Sequence, residues 1–117
     1  MKYETKVLEI GSNAKDMLQT GLLILFNNSA PKDLKPYCLI TQENRHEGKV
    51  KPGDTLAINK QDYIITAIGE NANENLYDLG HVSLCFDGSE TAKLPGHMHL
   101  TPYLSNDLMS IETIKIF

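Results

Sequence analysis

Histidine is where this chain can do chemistry. Its four histidines are His46, His81, His97 and His99. The ring's unperturbed pKa, about 6.5, lies closer to neutral pH than that of any other side chain. His81 sits in the run Tyr77-Asp78-Leu79-Gly80-His81-Val82-Ser83-Leu84-Cys85-Phe86-Asp87-Gly88, directly after a helix-stopping glycine. Three uses compete. An imidazole can attack a phosphoryl group through one nitrogen while the other donates its proton to an orienting group, and a second histidine nearby can offset the charge on the phosphoryl oxygens. Alternatively, His97 and His99, an H-x-H pair about 7 Å apart on one strand face, could join His81 as ligands to zinc or a similar ion, although no acid lies at ligand spacing beside the pair. Finally, the imidazoles can be ordinary surface or hydrogen-bonded strand residues. His46, among Glu43, Asn44, Arg45 and Glu47, reads as a solvated loop residue.

The elements that must carry these rings are mostly short strands separated by Gly, Pro, Asn and Asp. Lys2 to Ile10 alternates and stops at Gly11. Asn13 to Gln19 reads as one or two helical turns capped by Ser12 or Asn13 and closed near Gly21. Leu22 to Phe26 is a strand apolar on both faces, and Tyr37 to Thr41 is a second short apolar strand. Gln42 to Gly48 is polar. Thr55 to Ile58 and Tyr63 to Ile68 flank a hairpin loop of about four residues, Asn59 to Asp62. Asn71 to Leu79 is the best helix: an asparagine cap, Glu74 in the first turn and Gly80 as stop. Strands follow at His81 to Phe86, His97 to Leu100 and Thr113 to Phe117. Period 2 puts Val82, Leu84 and Phe86 on the core face and His81, Ser83 and Cys85 on the other. It also separates Met98 and Leu100 from His97 and His99. The sequence reads as having no internal repeat, low-complexity tract or Pro/Ser-rich linker. The pattern predicts a mostly-β domain, a small closed or nearly closed β-barrel with one or two short helices.

Composition narrows the function classes. The 117 residues predict a single domain spanning 1–117. With 41% hydrophobic and 22% charged residues the chain has an ordinary globular balance. Fifteen acids against eleven bases give a formal charge of −4, the wrong sign for nucleic acid. Cys38 and Cys85 stand apart in apolar runs, which predicts buried reduced thiols and a cytoplasmic setting. No apolar stretch follows the first residues as in a signal peptide, and the run Leu22 to Phe26 is too short to span a bilayer. Gly69, Gly80, Gly88 and Gly96 form no phosphate-binding glycine loop. Ser83 and Ser89 lack a G-x-S-x-G context. Asp54, Asp62, Asp78 and Asp87 sit where turn carboxylates usually bond nearby backbone.

Several separated motifs, in order, resemble those of one family. They are Ala30-Pro31-x-Asp33-Leu34-x-x-Tyr37-Cys38, Pro52-Gly53 and Thr66-Ala67-Ile68-Gly69. The most specific is Asn75-Leu76-x-x-Leu79-Gly80-His81-Val82-x-Leu84-x-Phe86-Asp87-Gly88, followed by Pro95-Gly96-x-x-His99. Together they resemble the glucitol/sorbitol-specific enzyme IIA component of the bacterial sugar phosphotransferase system, over nearly the whole length. The resemblance implies a cytoplasmic phosphocarrier of small barrel-like fold. Such a protein accepts a phosphoryl group from HPr on a histidine and passes it to the sugar-specific IIB component, which serves the membrane component IIC; no metal or organic cofactor is implied. Catalysis would rest on positioning and charge. The family's acceptor falls just after the strand of Tyr37-Cys38, in an Ile-His-x-His context, and the matching residue here is Thr41. A threonine hydroxyl forms no phosphoramidate. The expected acceptor is therefore His81, with His99 as its phosphate-binding neighbour and His46 as a loop substitute. The alternative is an unphosphorylated paralogue that binds partners and regulates.

Overall fold

The computed structural model describes residues 1–42, 45–101 and 111–117, with Arg45 described for its backbone only. Among these residues, nine strands and two α-helices follow one another as β1 (Tyr3–Ile10), α1 (Ala14–Gln19), β2 (Leu22–Asn27), β3 (Cys38–Thr41), β4 (Arg45–His46), β5 (Thr55–Ile58), β6 (Gln61–Ile68), α2 (Ala72–Leu79), β7 (Val82–Cys85), β8 (His97–Leu100) and β9 (Thr113–Ile116). The hydrogen-bonded order β3-β2-β7-β8-β6-β5-β9-β1 closes on itself through the β1–β3 pairing. The result is an eight-stranded mixed barrel, with β4 added on β1. Closure leaves few free edges, as expected of a domain this small.

The core follows the apolar alternation. Leu23, Leu25, Leu39, Leu84, Met98 and Leu100 are all buried, each removal from water contributing about 1.5–3 kcal/mol. Leu76 of α2 is fully buried against the same cluster, so the helix plugs the barrel while Tyr77 stays exposed. Asn71 and Asn13 stand at the N-cap positions, as the sequence predicts, though neither side chain makes a cap bond.

Beyond one-residue shifts at strand ends, the structure differs from expectation in four respects. The β5–β6 turn has two residues rather than four, because Asn59 adopts φ +54°, a left-handed conformation that asparagine tolerates. Strand β7 starts at Val82 rather than His81 and stops at Cys85, because His81 is still part of the helix C-cap. The stretch Gln42 to Gly48 is not simply a loop: Arg45 and His46 pair with Glu4 and Tyr3, while residues 43 and 44 lie outside the described set.

The fourth difference is larger. The chain contains an internal repeat. β1–α1–β2–β3 and β6–α2–β7–β8 are the same unit twice. In each, the first strand pairs antiparallel with the last, through a register irregularity at Val7/Glu9 in one unit and at Ile65/Ala67 in the other. In each, the last two strands pair in parallel. The junctions match bond for bond: Gly11 and Gly69 donate to Cys38 and His97 carbonyls, both at 2.8 Å, and Asn13 and Asn71 donate to Pro36 and Pro95 carbonyls at 2.7 and 2.9 Å. The units meet where β2 and β7 pair antiparallel around Ile24↔Ser83, positions equivalent in the repeat. The longest sequence trace is Ile10-Gly11-x-Asn13-Ala14 against Ile68-Gly69-x-Asn71-Ala72, with Gly21 against Gly80 and Pro36 against Pro95 as isolated matches; at most other positions the two units need only shared polarity, so their residues have diverged.

Candidate functional site

Helix α2 ends in a left-handed Gly80, φ 59°, the conformation glycine adopts at least cost. The Gly80 N–H donates to Leu76 O at 3.1 Å, and the His81 N–H reaches back to Asn75 O at 3.2 Å. The first is the 5→1 bond of an αL helix end, and the two together fix the direction in which the chain leaves the helix at His81. The ring then crosses to the neighbouring strand. Its Nδ1 lies 3.0 Å from the carbonyl of Leu25, and it stacks on Phe26 with centroids 4.2 Å apart and planes inclined by 27°. A carbonyl only accepts, so Nδ1 carries the proton and Nε2 keeps its lone pair. His81 is half-buried.

Thr41 closes the other side of this corner. It is fully buried at the end of β3, and its hydroxyl donates to Phe26 O at 3.3 Å. A Cβ placed on Gly80 would lie 3.5 Å from Thr41 Oγ1 and 3.1 Å from Asn27 Cβ. The residue at the resemblance's acceptor position and the Gly80–His81 joint are thus packed together, with Asn27 and Phe26 between them.

His99 stands elsewhere. In the parallel β7–β8 pair its partner is Cys85, four residues along from His81, or about 13 Å of strand. His99 has no exposed surface. Its Nδ1 faces Asp87 Oδ1 at 2.8 Å, and its Nε2 accepts the N–H of Lys93 at 3.2 Å, so the proton sits on Nδ1. Burial alone would raise the Asp87 pKa, but the His99 bond, the Ser89 N–H and Lys93 outweigh it and hold the carboxyl well below the usual range. His97 is half-buried, its ring centroid 5.9 Å from that of His99. Its Nδ1 lies 3.3 Å from Cys85 Sγ. Burial, then the neighbouring His99, push the His97 pKa down, while burial, then the Asp87 charge, push the Cys85 thiol up to about 11. Cys38 and Cys85 are both buried and free, as the composition predicts.

His46 is not a solvated loop residue. Strand pairing with Tyr3 turns its ring inward, edge-on to Tyr77 at 3.4 Å between centroids and to Tyr3 at 6.0 Å. Both ring nitrogens are buried without a hydrogen bond among the described residues, and burial lowers the pKa. The three expected site residues therefore occupy three separate environments. Sequence reasoning missed the Leu25 carbonyl and Phe26 beside His81, for which no signal exists in the chain. It also passed over Cys85, which shares His81's strand face, and it read Asp87 only as a turn carboxylate.

The fold is a small closed mixed β-barrel with a histidine at a helix cap where a strand begins, and comparison with known proteins gives it a family. The family model described as the PTS system glucitol/sorbitol-specific IIA component matches residues 2–115. The PTS system glucitol/sorbitol-specific EIIA components of Shigella flexneri and of Escherichia coli strain K12 are each 36% identical over 113 residues, covering 97% of this chain and 92% of theirs. Among solved structures, a PTS system IIA component from Enterococcus faecalis V583 superposes with a TM-score of 0.81 at 28% identity, covering 96% of this chain and 97% of its own. The chain belongs to the glucitol/sorbitol-specific IIA component family of the phosphotransferase system. No helix among the described residues is long and apolar enough to cross a membrane.

Proposed function

We propose that the chain is a cytoplasmic phosphocarrier that takes a phosphoryl group from HPr on His81 and passes it to the sugar-specific IIB component, which works with IIC during glucitol or sorbitol uptake. One observation carries the choice of His81: its Nδ1–H is tied to the Leu25 carbonyl, leaving Nε2 as the nucleophile, on the residue that follows the Gly80 packed beside Thr41. Stacking on Phe26 limits rotation of the ring, which lowers the entropy cost of in-line attack. In the transfer, the Nε2 lone pair forms a bond to phosphorus as the donor's phosphorus–nitrogen bond breaks, and the donor imidazole keeps that electron pair. Nδ1 retains its proton, so the Leu25 carbonyl stabilises the positive charge that develops on the His81 ring. The other two candidates are worse placed. Both nitrogens of His99 are engaged and the residue has no exposed surface, and the nitrogens of His46 are buried.

The test is incubation with enzyme I, HPr and phosphoenolpyruvate, followed by mapping of acid-labile phosphate by mass spectrometry. We expect one equivalent on His81 and a loss of at least 100-fold in uptake rate in His81→Ala. Full uptake by that variant overturns the assignment. A second reading rests on Thr41, which cannot carry the family's phosphoramidate: an unphosphorylated partner-binding regulator, marked by HPr or IIB binding with no phosphate on any residue.

A further inference from the structure

We infer that Cys85, His97 and His99 form a binding site for a borderline-soft divalent transition-metal ion, zinc foremost, with Asp87 as the positioning residue for His99. One ligand atom from each of the three lies within 4.8 Å of the other two, and Cys85 Sγ and His97 Nδ1 are already 3.3 Å apart. Tetrahedral zinc with bonds of about 2.3 Å to sulfur and about 2.0 Å to nitrogen separates such atoms by about 3.6 Å. Asp87 on His99 Nδ1 is the carboxylate–histidine arrangement that fixes tautomer and orientation of a metal-bound imidazole. It directs the metal to Nε2, where the ion would replace the 3.2 Å contact from the Lys93 N–H. On loading, the Cys85 thiol gives its proton to solvent as the metal–sulfur bond forms.

The repeat supplies an independent argument. The positions equivalent to Cys85, His97 and His99 in the first unit are Phe26, Cys38 and Ile40, by the matched β2–β3 and β7–β8 registers. There they form a compact apolar cluster with Ala30. The fold thus closes this face with hydrocarbon and a single thiol. In the second unit two imidazoles and a thiol stand at the same three places, with an aspartate to hold one ring. Backbone architecture does not require that set. The H-x-H pair, which the sequence offered among its alternatives as co-ligands of His81, lies beside Cys85 instead.

The experiment uses the full chain, stripped with chelator and titrated with cobalt(II) and zinc. We expect one equivalent per chain and a sulfur-to-cobalt charge-transfer band. The band should vanish in Cys85→Ser, affinity should fall at least tenfold in His97→Gln, and it should fall roughly 10–100-fold in Asp87→Asn. Cys38→Ser should leave the band unchanged. Absence of the band, or its persistence in Cys85→Ser, overturns the site. If Cys85→Ser fails to fold, thiol labelling of the unmodified chain decides. Zinc protecting Cys85 more than Cys38 supports the site; equal protection of both, or of neither, overturns it.

Discussion

At the residue scale, His81 is defined by the bonds it makes at two distances along the chain. Gly80 aims it locally, and the Leu25 carbonyl, 56 positions away, sets its tautomer. Gly80→Ala should be doubly penalised, because φ is positive and the new Cβ meets Asn27 at 3.1 Å. We expect a loss of about 2 kcal/mol in urea unfolding together with slowed phosphate uptake. Gly21→Ala is the control: φ is +85° but nothing lies within 4 Å, so about 1 kcal/mol should be lost with uptake unchanged. Equal effects on uptake would show that the Gly80 packing does not position His81. The local half of this arrangement was legible in the sequence, since a cap glycine before a strand is a short-range signal. The distant half was not. A carbonyl acceptor carries no residue identity, and only the antiparallel β2–β7 register places Leu25 opposite Val82.

At the scale of elements, the crossing points Gly11 and Gly69 are the most exacting positions. A Cβ on Gly11 would lie 2.3 Å from Pro36 O, and one on Gly69 would lie 2.2 Å from Pro95 O. Neither neighbour is a flexible side chain, so the strand-to-helix turn must open. Gly11→Ala and Gly69→Ala should each cost about 3 kcal/mol, measured by thermal or denaturant unfolding, and should be near-equal because the two junctions share their hydrogen bonds. A tolerated alanine at either would refute the equivalence of the two units. The helices and most strands could be read from caps and alternation. The repeat could not, because backbone crossings constrain only a glycine, an asparagine and a proline. Burial of His46 also escaped composition: two residues, Arg45 and His46, form a strand too short to show periodicity, and pairing with β1 decides which way the ring turns.

For the whole molecule, closure is secured beyond the ladders by Lys2, whose Nζ lies 2.7 Å from Asp54 Oδ2. The pair joins the start of β1 to the turn before β5, across the intervening β9. Burial raises the Asp54 pKa, but the Lys2 bond and charge and the Lys51 N–H outweigh it, and the group titrates below its ordinary value. A carboxyl with a depressed folded pKa stabilises the fold above its unfolded pKa, about 3.9, and that contribution disappears as pH falls through the folded value. Asp54→Asn should therefore cost about 1 kcal/mol near pH 7, and the difference from the unmodified chain should shrink as pH drops below about 4. A constant difference across that range in pH-dependent denaturation would show the pair to be electrostatically idle.

The placement of β9 has a consequence for how the chain reaches this state. Thr113–Ile116 lies between β1 and β5, pairing with both, although more than fifty residues separate it from either in sequence. During synthesis both repeat units and the β5–β6 hairpin emerge before the strand that joins the ends of the sheet. Until it arrives, β1 and β5 each present an open edge able to pair with another chain. The interval before residue 113 appears is thus the period when a nascent molecule is most exposed to misassembly, and truncation just short of β9 should yield aggregates rather than a loosened monomer.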